Sequence, residues 1–167
     1  MSHLILVRHG QSQWNLENKF TGWVDVDLSP QGISEATEAG ELIKKLNLEI
    51  NQFYTSYQLR SVRTLKIILD ILKIEPKSIT KAWQLNERHY GSLTGLNKDE
   101  VKKKLGEDEV HKLRRSWDYP PPPLDNDSPY HPKNIEIYDD IPRDFIPNTE
   151  SLKSTYERVI PYFVENI

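Results

Sequence analysis

Apolar runs alternate with amphipathic stretches along the first half of the chain. The run "LILV" at residues 4–7 is continuous and ends at a glycine turn, which is typical of a buried strand. Stretches at 50–56 and 79–85 predict a second and a third strand. Between the strands, apolar residues recur at helical spacing over 30–46 and 56–73. This alternation of strands and helices predicts an α/β fold with a mostly parallel central sheet.

Two further helices are predicted in the middle of the chain. Asn97 and Glu100 have the spacing of a capping box, which predicts a helix over 98–105. A second helical segment is expected over 107–117, where apolar residues return at helical spacing.

The proline content then rises sharply. Residues 118–147 hold eight of the 11 prolines, and proline disrupts helix interiors and central strands. We expect this segment to be a long excursion, either a lid over a site or a wrap on the surface. Helical spacing returns over 152–163, with Pro161 as an expected kink, so the excursion is not a domain linker. We therefore predict one domain over residues 1–167.

Composition narrows the classes of function. The 167 residues are 37% hydrophobic and 28% charged with a net charge of −3, so an anionic ligand needs a local cluster of cations, and no basic excess points to nucleic acid. The absence of cysteine excludes disulfides, thiolate chemistry and cysteine-ligated zinc. No stretch approaches the roughly 20 apolar residues of a membrane span, and no signal peptide is evident, so we expect a cytoplasmic protein without membrane partners.

Three chemically distinctive residues directly follow the first predicted strand. Arg8, His9 and Gly10 lie at its carboxyl end, where open α/β sheets bind their ligands. A neutral imidazole is a competent nucleophile toward phosphorus, and a neighbouring guanidinium can balance the charge of the transferred group. The sequence therefore predicts an anion site that contains a nucleophile or a base.

Charged residues after the other two strands are candidates for the same site. Arg60 and Arg63 follow the second strand, where guanidinium groups could bind phosphate oxygens or could simply face solvent on a helix. Glu87 follows the third strand and is either a general acid/base or a surface residue. Arg114 and Arg115 are adjacent on a predicted helix, so at least one of them could face solvent.

Several segments of the chain resemble one known family. "LVRHGQSQWN", "FTGW", "LNERHYGSLTGLNK" and "RRSWDYPPPP" are similar to segments of the cofactor-dependent phosphoglycerate mutases of the histidine phosphatase superfamily. The RHG triplet alone is a weak signal, whereas the "LNERHYGSLTGLNK" segment with the Arg-Arg and polyproline stretch separates the mutases from general phosphatases. The resemblance implies a three-layer α/β sandwich.

The resemblance also implies a role for each matching position. His9 would be phosphorylated through the ring nitrogen remote from the backbone, Arg8 and Arg60 would hold its phosphate, and Glu87 would donate and accept the proton. The positions that match substrate contacts are Ser12, Asn15, Thr21, Gly22, Arg88, Tyr90, Lys98, Arg114 and Arg115.

The implied reaction is the interconversion of 3-phosphoglycerate and 2-phosphoglycerate in glycolysis and gluconeogenesis. It would proceed through a phosphohistidine that 2,3-bisphosphoglycerate primes, without a metal ion, on small phosphoglycerates and in a possible homodimer. Two alternatives stay open from the residues alone. One is a related bisphosphoglycerate mutase or phosphatase, and the other is an impaired or inactive relative.

The chain departs from the family pattern at three places. Gln11 and Gln84 replace the usual Glu and Arg. The family also carries a second catalytic histidine in an "HGNS"-type motif, on a strand that follows the last predicted helix and pairs beside the first strand. None of His3, His89, His111 and His131 lies in such a motif, so we expect a fragment of a longer enzyme or a C-terminally truncated relative.

Overall fold

The structure, a computed structural model, describes residues 3–167. Within this range the chain forms six α-helices and one two-stranded sheet. The helices are α1 (Gln13–Leu16), α2 (Pro30–Lys45), α3 (Leu59–Leu72), α4 (Lys98–Leu105), α5 (Glu107–Arg115) and α6 (Leu152–Asn166). The strands are β1 (Tyr54–Thr55) and β2 (Thr80–Lys81), and short 3-10 helices lie at Trp83–Leu85, Gly91–Leu93, Pro132–Asn134, Glu136–Tyr138 and Arg143–Phe145.

The two long helices of the first half form where their spacing predicted them. α2 begins at Pro30 because the hydroxyl of Ser29 caps it by accepting a hydrogen bond from the Gly32 N–H. α3 packs against α2, and it ends where Lys73 adopts a left-handed conformation with φ of 55°. The contact is close at Gly40, where a Cβ would lie 3.0 Å from the Cβ of Ile71.

The sheet is parallel, as predicted, but short. Tyr54 pairs with Thr80 and Thr55 pairs with Lys81. The remainder of the two predicted strands is irregular, and Trp83–Leu85 forms a 3-10 helix. The α/β class with a parallel sheet is therefore confirmed.

The prediction of a buried strand at residues 4–7 is wrong. Leu4 is 57% exposed and Leu6 is 78% exposed, and no backbone group of this segment pairs with another residue of the described range. A groove of about 740 Å³ lies between residues 3–7 and residues 48–56. A strand requires a neighbour for its backbone groups, so an apolar run beside an open groove cannot form one.

Helices α4 and α5 pack against the loops that precede them and form a small hydrophobic core. The side chain of Asn97 caps α4 by accepting hydrogen bonds from two backbone N–H groups, as its position predicted. α5 then ends at Arg115, two residues earlier than expected. Together with the preceding loops they bury Phe20, Leu93, Val101, Val110 and Leu113.

The proline-rich excursion wraps the surface. As predicted, it contains neither an α-helix nor a strand, and three 3-10 turns carry its side chains inward. Tyr138 is almost fully buried, and its hydroxyl donates to the carbonyl of Trp23 over 2.6 Å. Ile141 packs in the same cluster, and Tyr57 donates to Asp140. This packing favours the wrap over the lid.

α6 forms where its spacing predicted it and continues as one helix through Pro161, where the sequence predicted a kink. Its apolar face is less buried than its helical spacing suggests, because Tyr156 is 51% exposed and packs edge-on against Trp117. Phe163 and Ile167 line the groove beside residues 3–7. None of the helices between residues 3 and 167 is both long enough and apolar enough to span a bilayer.

Candidate active site

His9 lies in a pocket of about 300 Å³ at the end of the segment that was predicted to be a strand. The pocket is lined by Val7, Arg8, His9, Asn15, Gln58, Ser61, Leu85 and Glu87. Nδ1–H of His9 donates to the carbonyl of Gly10 over 2.6 Å. Because Nδ1 carries the proton, Nε2 keeps its lone pair, which is the form of imidazole that can act as a nucleophile.

Gly10 is glycine because the backbone of α2 leaves no room for a side chain. A Cβ at Gly10 would lie 2.2 Å from the carbonyl oxygen of Gly32, and a Cβ at Gly32 would lie 2.0 Å from that of Gln11. The amide side chain of Gln11 accepts from the hydroxyl of Ser29, and the backbone N–H of Gln11 donates to the carboxylate of Glu35. The residues after His9 are therefore fixed against the first turn of α2.

Arg60 is fully buried beside His9. Its guanidinium donates to the carbonyls of Gly22 and Val24 over 2.8 and 2.9 Å. It also donates to a carboxylate oxygen of Glu87 over 2.9 Å, and the Glu87 side chain is 32% exposed. The structure thus joins the predicted cation and the predicted acid/base in one ion pair at the pocket.

Charge and burial together favour the neutral form of His9. Burial lowers its pKa, and the positive charges of Arg60 and Arg8 lower it further. The hydrogen bond to Gly10 and the negative charge of Glu87 act in the opposite direction. Since the net shift is downward, the imidazole is neutral and nucleophilic at neutral pH.

The more distant cations of the site pack against two aromatic rings. Phe20 is fully buried and packs on Tyr90 with ring centroids 5.2 Å apart. Lys98 Nζ and Arg114 Cζ each lie 5.9 Å from the Phe20 centroid, and Arg88 Cζ lies 4.8 Å from that of Tyr90. Burial and the charge of Arg114 lower the pKa of Lys98.

The loop residues that the resemblance matched to substrate contacts lie in different surroundings. Ser12 caps α1, since its hydroxyl accepts from the N–H of Asn15 and the Asn15 side chain accepts from the N–H of Ser12. Gly22 has a φ of 56° and turns its carbonyl toward Arg60. Thr21 is buried, and its hydroxyl has no hydrogen-bond partner among residues 3–167. Arg115 is exposed.

Three residues that the sequence did not single out hold the site in place. Gln58 donates to the carbonyl of Gly22 and accepts from the N–H of Glu87, so it joins the two sides of the pocket. Glu150 and Arg158 form a buried ion pair behind the loop that carries Glu87. By contrast, Arg63 pairs with Asp27 and does not line the pocket.

His89 is buried in the same loop and is structural. Its Nδ1 accepts from the N–H of Gly91 over 2.9 Å, and its ring centroid lies 6.4 Å from that of His131. Burial lowers its pKa to about 3, and the charges of His131 and Arg158 act in the same direction. The pKa of His131 is also lowered by burial.

Because buried histidines resist protonation, we expect the free energy of unfolding to fall at acidic pH. The unfolded chain protonates its histidines below about pH 6.5, whereas folded His89 stays neutral down to about pH 3. The unfolded state therefore binds more protons in this window, and the free energy of unfolding falls as the pH is lowered from 7.5 to 5. The His89 contribution at pH 5 is about 2 kcal/mol. Urea unfolding measured across this range should show a smaller slope with pH in His89→Gln, and an unchanged slope would contradict the assignment.

Comparison with known proteins places this geometry in one superfamily. Residues 4–165 match the histidine phosphatase superfamily (branch 1). The whole chain is 61% identical to the 2,3-bisphosphoglycerate-dependent phosphoglycerate mutase of Pelagibacter ubique (strain HTCC1062) and covers 70% of that protein. It is 50% identical to the protein of the same name from Hydrogenobaculum sp. (strain Y04AAS1), again over the whole chain, and covers 68% of it.

Solved structures support the same fold at lower identity. The mycobacterial glucosyl-3-phosphoglycerate phosphatase superposes with a TM-score of 0.66 at 18% identity, over 94% of this chain and 63% of that one. The alpha-ribazole phosphatase of Shigella flexneri gives a TM-score of 0.62 at 17% identity, over 95% and 64% of the two chains. The chain thus spans a little under two thirds of these structures and somewhat more of its sequence relatives. Since the superfamily match runs through nearly all of it, the chain belongs to the histidine phosphatase superfamily (branch 1), in the family of the 2,3-bisphosphoglycerate-dependent phosphoglycerate mutases.

Proposed function

We propose that this chain interconverts 3-phosphoglycerate and 2-phosphoglycerate through a phosphohistidine at His9 that 2,3-bisphosphoglycerate primes. The observation that carries the proposal is the unprotonated Nε2 of His9 in a pocket lined by Glu87, whose carboxylate pairs with the buried Arg60. The names of the two sequence relatives support the same reaction. A homodimer and a cytoplasmic location remain predictions of the resemblance.

The cations of the site suit a ligand with two anionic ends. Arg8 and Arg60 lie at the His9 end. Arg88, Lys98 and Arg114 surround the Phe20–Tyr90 pair at the other end. Within residues 3–167, the Nε and Nη1 groups of Arg88 are buried without a hydrogen-bond partner. A bisphosphate, or a phosphate with a carboxylate, would satisfy both ends.

In the priming step, Nε2 of His9 attacks a phosphorus atom of 2,3-bisphosphoglycerate. A P–N bond forms and a P–O bond breaks, and Glu87 protonates the oxygen that leaves. Arg8 and Arg60 balance the charge on the transferring oxygens, as guanidinium groups do in phosphoryl transfer.

In the following step, Glu87 takes the proton of the free hydroxyl of 3-phosphoglycerate while that oxygen attacks the phosphorus on His9. The P–N bond breaks, and the resulting bisphosphate reorients between the two groups of cations. His9 then takes the other phosphoryl group, and 2-phosphoglycerate leaves. Glu87 alternates between acid and base, so the proton is balanced over one cycle.

The direct test is the intact mass of the chain after incubation with 2,3-bisphosphoglycerate. We expect a gain of one phosphoryl group in the unaltered chain and none in His9→Ala, because the other histidines lie outside the pocket. Formation of 2-phosphoglycerate from 3-phosphoglycerate should follow, measured against release of inorganic phosphate.

Each outcome of this test is decisive. No mass gain in a folded chain would exclude the proposed mechanism for it. A mass gain that persists in His9→Ala would move the nucleophile elsewhere. A phosphoenzyme that releases only inorganic phosphate would make the chain a phosphatase.

A further inference from the structure

The loop that carries Glu87 is held from behind by one buried ion pair. Arg158 donates through Nε and Nη2 to the two carboxylate oxygens of Glu150, over 2.7 and 2.8 Å. The side chains are 8% and 4% exposed. Such a bidentate arrangement fixes both distance and orientation, which a single contact does not.

Both members of the pair also hold the backbone on either side of Glu87. Arg158 Nη1 donates to the carbonyls of Gln84 and Asn86 over 2.8 and 3.2 Å. Beyond Glu87, the carboxylate of Glu150 accepts from the N–H of His89 over 2.8 Å, and the N–H of Glu150 donates to the His89 carbonyl over 3.1 Å.

Glu87 itself touches neither Glu150 nor Arg158. Its backbone N–H donates to Gln58, and its carboxylate accepts from Arg60. Glu87 is therefore a short bridge between the ion pair behind it and the pocket in front of it. Any movement of Asn86 or His89 moves its carboxylate relative to His9.

We propose that Glu150 and Arg158 are positioning residues that set the carboxylate of Glu87 against Arg60 and His9 for proton transfer. This role rests on the proposed function, in which Glu87 protonates the oxygen that leaves when His9 is phosphorylated. The pair acts only through Glu87, so it matters for steps that need that proton and not for steps that need none.

A comparison of two phosphoryl donors distinguishes a positioning role for the ion pair from a general effect on stability. When 2,3-bisphosphoglycerate phosphorylates His9, the P–O bond breaks and the alkoxide that leaves must take a proton from Glu87. When acetyl phosphate phosphorylates His9, the P–O bond breaks and acetate leaves without needing a proton. A displaced Glu87 therefore slows the first reaction and leaves the second unchanged.

Conservative substitutions are expected to weaken the Glu150–Arg158 ion pair without unfolding the protein. We expect Arg158→Lys and Glu150→Gln to slow His9 phosphorylation by 2,3-bisphosphoglycerate about 10-fold to 100-fold, with little change for acetyl phosphate. Glu157→Gln, exposed on the same helix, and Arg143→Lys, exposed in the excursion, are matched controls that should leave both rates unchanged. Equal slowing with both donors would mean a merely structural role and would overturn the proposal.

A second readout needs no substrate. The charge of Glu87 raises the pKa of His9, so NMR titration of the His9 ring reports where that carboxylate lies. We expect Arg158→Lys and Glu150→Gln to lower the pKa of His9 in the same direction as Glu87→Gln. An unchanged value in folded variants, with a lowered value in Glu87→Gln, would overturn the positioning role. If the unaltered chain forms no phosphohistidine but the variants still lower the His9 pKa, the proposed function fails and the positioning role stands.

Discussion

Replacing Arg60 with methionine is expected to slow phosphorylation of His9 by 2,3-bisphosphoglycerate by about 1,000-fold, the upper range for losing one charge-stabilising donor. The same change is expected to lower the free energy of unfolding by about 3 kcal/mol. Methionine has a similar length but donates no hydrogen bonds, so Glu87 loses its ion-pair partner and the carbonyls of Gly22 and Val24 each lose a donor. Quenched-flow mass measurements give the rate, and urea unfolding gives the stability.

Arg63→Met is the matched control for this variant. Arg63 lies one turn along α3, its side chain is 42% exposed, and it pairs with Asp27 outside the pocket. We expect less than about 1 kcal/mol of destabilisation, as is usual for exposed ion pairs. Phosphorylation of Arg60→Met within 10-fold of the unaltered rate would show that Arg60 is only a structural cation.

Gly32→Ala is expected to lower the free energy of unfolding by about 3 kcal/mol or more, at the upper end for overpacking, because rigid backbone would have to move. The new Cβ would lie 2.0 Å from the carbonyl oxygen of Gln11, a contact that no side-chain rotation relieves. Because Gln11 follows His9 and Gly10 directly, the displacement also reaches the nucleophile. The measurements are the urea midpoint and the NMR signal of the His9 ring.

Gly40→Ala in the same helix provides the comparison. The three atoms nearest to its Cβ would belong to Ile71, at 3.0–3.2 Å, so the two helices would have to move apart by only a few tenths of an ångström. Alanine also gains up to about 1 kcal/mol of helix propensity over glycine. We expect a net change below about 1 kcal/mol in either direction. Equal loss in both variants would mean that helix packing in general, and not the contact with Gln11, sets the effect.

The five longer helices, α2 to α6, could be predicted to within a few residues because their signals are local, whereas the short α1 was not predicted. Ser29 and Asn97 cap α2 and α4 through contacts within three residues, so the sequence contains the whole interaction. The segment at 4–7 shows the opposite case. Its apolar run predicted a strand, but a strand depends on a partner that is distant in sequence, and the groove beside it is open.

The residues of the site also fall into those that the sequence predicts and those that it does not. His9, Arg60 and Glu87 were expected at one sheet edge, and the structure brings them together although the first strand is missing. Gln58 and Arg158 could not have been predicted, because they bind backbone groups 29 to 75 residues away in the chain. A side chain that recognises a distant carbonyl leaves no pattern of spacing in the sequence.

Because Arg60 pairs with Glu87, the guanidinium beside His9 already has a carboxylate partner. An incoming phosphate does not meet a free guanidinium, and it must displace a carboxylate that is tethered to the protein at high effective concentration. Only a ligand with more negative charge than a single carboxylate gains from that exchange, so singly charged metabolites are poor competitors. The exchange also frees Glu87 from Arg60, while Glu150 and Arg158 still hold the backbone on either side of it, so its carboxylate stays in the pocket as the acid and base of the reaction.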